Sequence, residues 1–225
     1  MSNREAVLSK VRASLGVRAS DDARREGVEK RLKERPRHLT PERVKDKPTD
    51  ELVRLFRSFL EGQSASVLEV ADAAAVPTAI AGYLRKNNLP ARLRIGGDIL
   101  LTQLPWSSEG QLEVMLGRAQ SGDEVGLTHA LAGVAETGTL ILSSGADNPV
   151  TLNFMPDTSV VVIRQQDIVA AYEDGWTRVR DRYGDRLMPR TVNFISGPSR
   201  TGDIGGRIVM GAHGPRAMCV IIVKG

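Results

Sequence analysis

The sequence predicts an α/β protein: a layered, largely parallel sheet flanked by helices, with an N-terminal helical arm. Three observations carry this expectation. Runs such as SVVVI (159–163) and MCVIIV (218–223) are apolar on both faces, as strands buried inside a parallel sheet are. These runs alternate along the chain with helical stretches, the pattern of a sheet covered by helices. Basic charge is concentrated ahead of them: residues 1–48 hold 14 Lys+Arg against 8 Asp+Glu, a net of +6, whereas the remaining 177 residues net −2. The expected division is a basic helical arm and linker over 1–48 and an α/β domain over 49–225.

Each element follows from local pattern. In SNREAVLSKVRASLG (2–16), Ser2 and Glu5 have capping-box spacing, Val7, Leu8, Val11 and Leu15 share one helical face, and Gly16 suits the stop. Residues 17–48 are polar and broken by Pro36, Pro41 and Pro48, which predicts a linker with one marginal helix. An amphipathic helix is expected over 50–61. Then come a strand at 66–70, a helix over 72–87 that begins in earnest near Pro77, and strands at 91–95, 112–116, 125–131, 139–143 and 159–163. QDIVAAYEDGWTRVRDRYG (166–184) reads as a helix despite Gly175. Strands at 191–195, 206–211 and 217–223 close the chain.

Composition narrows the function classes. With 41% hydrophobic but only 4% aromatic residues, the core must be mostly aliphatic. No run approaches the roughly 18 apolar residues of a membrane span. The opening MSNREAVLSK has no apolar signal-peptide core, so a cytoplasmic protein is expected. A single cysteine, Cys219, leaves no internal disulfide, Cys-ligated zinc site or iron–sulfur cluster for this chain, and its apolar setting predicts an inert buried thiol. The basic arm interleaves acidic residues and has no aromatic side chain to stack on bases. A solvated or partner-docked helix therefore fits it better than a nucleic-acid binder.

Three polar, glycine-containing stretches are the candidate sites. In GVAETGTLIL (133–142), Glu136, Thr137 and Thr139 surround Gly138 ahead of an apolar strand. A carboxylate and two hydroxyls there suit proton transfer or hydroxyl binding, and equally a locally bonded β-turn. In ISGPSRTGDIGG (195–206), Gly197 and Gly202 have the spacing of a nucleotide phosphate loop. Asp203 stands where that loop needs lysine, however, and Pro198 removes a backbone donor, so a nucleotide cradle is disfavoured. What remains is a turn carrying Ser199, Arg200, Thr201 and Asp203, in which Arg200 either clamps a small carboxylate or phosphate or pairs with Asp203. In GAHGP (211–215), His213 sits between Gly211 and Gly214. Acid–base or anion-binding roles are open to it beside a structural one, and no second ligand at helical or turn spacing supports a metal.

In order, AETGTLIL (135–142), SVVVIRQQDIV (159–169), ISGPSRTGDI (195–204) and VMGAHGP (209–215) resemble the lactate-utilization domain family, in its cluster-free subunit type, over about residues 50–225. The resemblance implies a fold similar to the sugar-phosphate isomerase and CoA-transferase superfamily. It also implies an accessory subunit in oxidation of L-lactate to pyruvate, with iron–sulfur clusters in two companion subunits and none in this chain. It supplies no settled catalytic residue: Glu136 and His213 stand as catalytic candidates, and Thr137, Gly138, Thr139, Ser199, Arg200, Thr201, Asp203, Gly211 and Gly214 as ligand-binding ones. The stretch ADNPVTLNFMPDT (146–158) lacks the arginine that the resemblance leads one to expect there. The alternative is a stand-alone enzyme or binding protein for a sugar phosphate, CoA ester or other small anion, with Glu136 as base or nucleophile. A homo-oligomer is open on either reading.

Overall fold

The computed structural model describes residues 2–18, 21–37, 39–184 and 187–225, and divides into two compact units, Met1–Leu39 and Thr40–Gly225. The first unit holds α1 (Asn3–Leu15) and α2 (Asp22–Glu34). The Ser2 hydroxyl accepts the Glu5 N–H at 3.4 Å, and Gly16 at φ 63° closes α1 by donating to the Arg12 and Ala13 carbonyls. Val7, Val11 and Leu15, on the apolar face of α1, are exposed.

Residues 40–48 pack with the second unit. Val44 is buried in its core, and the Arg43 guanidinium lies 5.3 Å above the Phe59 ring. The unit continues through α3 (Thr49–Gly62), β1 (Ser66–Val70), α4 (Val76–Lys86), β2 (Arg92–Ile95), α5 (Ile99–Thr102) and β3 (Glu113–Leu116). Next are β4 (Val125–His129), β5 (Ala132–Val134), β6 (Thr139–Ser143), α6 (Thr151–Phe154) and β7 (Thr158–Arg164). The chain closes with β8 (Ile168–Val169), α7 (Tyr172–Tyr183), β9 (Val192–Ile195), β10 (Arg200–Ile204), β11 (Arg207–Met210) and β12 (Ala217–Val223).

Six strands form an entirely parallel sheet in the order β1-β12-β7-β4-β2-β3. This is the predicted architecture. One feature goes beyond the expectation: a second, mixed sheet, β8-β5-β6-β9. The expected single strand over 125–131 divides between the two. The Ala130 N–H still bonds to Val162 in the parallel sheet, whereas the Leu131 N–H bonds to Ile141 in the mixed one.

Three apolar cores bind the layers. Val161, Ile163, Val220 and Ile222, on one face of the parallel sheet, meet Phe56 and Leu60 of α3 and Leu140 and Leu142 of β6. On the other face Val160, Val162 and Ile221 meet Ile80 and Leu84 of α4. Outside the mixed sheet, Ile141 and Val134 pack against Val179 of α7. Gly133 makes the first of these contacts possible, because a Cβ there would press on the Phe56 ring at 2.9 Å and on Ile163 at 2.8 Å.

Two expectations are corrected. The helix over 166–184 begins only at Tyr172. Before it, Ile168 and Val169 pair with β5, and the Asp174 carboxylate caps the helix by accepting the Ala171 N–H at 3.1 Å. The stretch from Arg200 to Ile204 is not a turn but β10, paired antiparallel with β11 in a hairpin.

The expected burial of the thiol is found. Cys219 is fully buried, and loss of solvation pushes its pKa up to about 12. The native protein is therefore expected to resist alkylation by iodoacetamide at pH 8 and to react with one equivalent once denatured. Rapid labelling of the folded chain would contradict this burial.

Candidate functional site

The three predicted loops are joined in series, the first two docked on the C-terminal end of α3 and the third held by the second. Thr137 and Thr139 flank Gly138, whose φ of 65° makes the tight turn into β6. Gly138 lies directly on α3: a Cβ there would sit 2.6 Å from Phe59 Cβ and 2.9 Å from the Leu60 nitrogen. Close approach of backbone to backbone, with a left-handed φ, is what requires glycine.

Above that turn lies a cluster of hydroxyls. Thr137 Oγ1 and Thr139 Oγ1 are 2.7 Å apart, and each contacts the Tyr172 hydroxyl, at 2.8 and 2.9 Å. Thr139 Oγ1 also lies 2.7 Å from Ser196 Oγ, which ties the first loop to the second. Three neighbours fill the one donor and two acceptor positions of the Thr139 hydroxyl, whereas among the described residues the Ser196 hydroxyl has this one partner. The Tyr172 ring packs at a tilt of 41° against Phe194 of β9, with centroids 5.8 Å apart. Glu136 donates its backbone N–H to the Ala170 carbonyl. Its half-buried carboxylate makes no hydrogen bond or ion pair among the described residues.

The second loop also docks on α3. Gly197 packs against Gln63, and Arg200 Nη2 donates to the Gln63 carbonyl at 2.9 Å and to Ser64 Oγ at 2.6 Å. A cation at a helix C-terminus satisfies carbonyls that lack an internal partner and matches the helix dipole. Arg200 thus fastens its hairpin to α3, and the Arg200–Asp203 pair considered from the sequence is not formed. The backbone N–H of Asp203 instead meets Thr201 Oγ1 at 3.3 Å, and Thr201 itself is buried in the hairpin opposite Val209.

The third loop joins the second through Ser199. Ser199 donates its N–H to the Pro215 carbonyl and accepts the Gly211 N–H through its own carbonyl, while the His213 N–H approaches Ser199 Oγ at 3.3 Å. Gly211, at φ 78°, leaves room for the Arg216 backbone, and Gly214 lies against Ser199 and the Phe154 ring. The His213 imidazole is exposed, and no hydrogen bond links the first loop to the third among the described residues. Two surface depressions, of about 230 and 670 Å³, lie elsewhere: one beside α4 and residues 109–112, the other along residues 42–58.

Reasoning from sequence missed Tyr172 and Ser196 as members of the hydroxyl cluster. Tyr172 lay inside a predicted helix, where its ring reads as core, and a lone serine carries no pattern.

A profile of the LUD domain matches residues 53–223, which takes in both sheets and all three loops. The chain belongs to the LUD domain family. Several curated relatives are called Lactate utilization protein C. The one from Shouchella clausii is 33% identical over 100 residues, 44% of each chain; that from Bacillus subtilis is 30% identical over 135 residues, 56% of this chain and 55% of its own. The matched stretch thus spans about half the length of these relatives. A solved structure, a DUF162 family protein from Deinococcus radiodurans, superposes with a TM-score of 0.61 at 23% identity, over 79% of this chain and 99% of the other. It shares the fold of this LUD domain. No helix among the described residues is long and apolar enough to cross a membrane.

Proposed function

We propose that this LUD-domain chain is the cluster-free accessory component of a cytoplasmic system that oxidises L-lactate to pyruvate, with iron–sulfur clusters in two companion subunits. The observation that supports it most is the agreement between family and form: in a domain whose relatives are called Lactate utilization protein C, the first two motif loops dock on α3 and the third joins the second through Ser199. Cys219 is buried, which fits a division of labour in which companion subunits supply the cluster-ligating thiolates. Arg200 is committed to α3, so among the described residues the seam still offers the Glu136 carboxylate, the Ser196 hydroxyl beside its one bond to Thr139, and the exposed His213 ring. These suit contact with a partner or with a small anion.

The test is affinity purification of the tagged chain from its native cells grown on L-lactate. Cysteine-rich iron–sulfur proteins are expected to co-purify, and deletion of the gene should slow growth on L-lactate while sparing growth on glucose. Unaltered growth together with no iron–sulfur partner would overturn the reading.

A further inference from the structure

Beside α4 the surface has a hollow of about 230 Å³, and none of the three motif loops lines it. That is below the roughly 300 Å³ at which pockets for drug-sized molecules begin, and it suits a small metabolite. The floor is aliphatic: Leu84 is buried, and Leu89 and Leu112, which precede β2 and β3, are half-buried around it. On the α4 side the lining includes Ala81, whose small side chain leaves the space open.

Two opposite charges border this hollow from different elements. Arg85 is on the last turn of α4, and Glu109 is on the segment that leads into β3. The Thr78 hydroxyl donates to Glu109 Oε1 at 2.7 Å, which holds the carboxylate beside the first turn of α4. Thr78, Ala81 and Arg85, spaced i, i+3 and i+7, form one stripe whose ends are about 10 Å apart along the axis. Side chains on a helix lean toward its N-terminus, which for Arg85 is the direction of Ala81 and Thr78. Even so, Arg85 makes no hydrogen bond or ion pair among the described residues, and the Glu109 carboxylate has Thr78 as its one partner there. A guanidinium and a carboxylate that border one hollow without meeting leave a gap for a molecule that carries both charges.

We propose that this hollow binds a free aliphatic α-amino acid. Its carboxylate pairs with Arg85, its ammonium pairs with Glu109, and its side chain lies on Leu84, Leu89 and Leu112. Arginine suits the first role because its fork matches a carboxylate through two hydrogen bonds. A simple carboxylate or a simple amine would satisfy one wall and leave the opposite charge unmatched. The site is separate from the proposed function and does not depend on companion subunits.

The experiment uses the full chain with carbon-13 in its leucine methyl groups, titrated with unlabelled L-leucine, L-isoleucine and L-valine in turn and followed by NMR. For at least one of them the Leu84, Leu89 and Leu112 methyls should shift together and saturate, with a dissociation constant below about 1 mM. Isocaproate, which lacks the ammonium, isoamylamine, which lacks the carboxylate, and glycine, which lacks the side chain, should each bind at least about tenfold more weakly. Arg85→Gln and Glu109→Gln should each weaken amino-acid binding by about tenfold or more. Ala81→Met, a good helix former that fills the hollow, should abolish the shifts. Methyls that none of the three amino acids moves, shifts confined to other leucines, or isocaproate bound as tightly as the best amino acid would overturn the site. The ligand comparisons are made on the native sequence, so a variant that misfolds does not spoil the test.

Discussion

Gly138→Val is expected to lower the unfolding free energy by about 2–6 kcal/mol. Roughly 1–3 kcal/mol comes from holding a β-branched residue in the left-handed region, and about as much again from overpacking. The overpacking is severe because the new Cβ would meet backbone, the Leu60 nitrogen at 2.9 Å and the Phe56 carbonyl at 3.2 Å, and helix backbone cannot swing aside. Urea unfolding followed by circular dichroism measures the loss. Gly82→Ala in α4 is the control: its Cβ meets nothing within 4 Å, and an exposed helical position gains about 0.5–1 kcal/mol from the change. If the valine variant unfolds at the same urea concentration as the native chain, Gly138 does not hold this seam.

Phe56→Ala should cost about 3–5 kcal/mol, the range for an aromatic lost from a packed core. The ring is fully buried and fills the space left by Gly133 between α3 and the mixed sheet. Its removal opens a void that Ile163 and Leu140, anchored on their own strands, cannot close. Phe56→Leu, which keeps most of the apolar volume, should recover part of the loss. A cost below about 1 kcal/mol for the alanine variant would mean that this core collapses freely, against the close packing seen around Gly133.

The strands were legible where chemistry was one-sided. β7 is apolar from Val160 to Ile163 and β12 throughout because both their faces are covered, and so short a run rich in β-branched residues favours a strand over a helix. α5 and α6, four residues each, are too short to display a period. β8 was hidden because Ile168 and Val169 continue the spacing of the helix that follows, and only pairing with β5 decides against it. The site was legible in its glycines and not in its partners. Gly138 and Gly211 announce special backbone, but the acceptor that holds Arg200 is a main-chain carbonyl, Gln63, for which sequence has no sign. The pairing of His129 Nδ1 with Asp98 leaves no sign in the sequence, because the two lie 31 residues apart and meet only through strand order.

Strand order also governs how this protein can be made. β12 lies between β1 and β7, so the last strand synthesised occupies the interior of the sheet whose first strand was synthesised earliest. A nascent chain that lacks residues 217–223 has β1 with no neighbour and β7 with one side bare, and each exposes unpaired backbone and valine-rich surface. Vectorial folding from the N-terminus, open to modular proteins as they leave the ribosome, is closed to this domain. Its parallel sheet can close only once residues 217–223 are available to both β1 and β7.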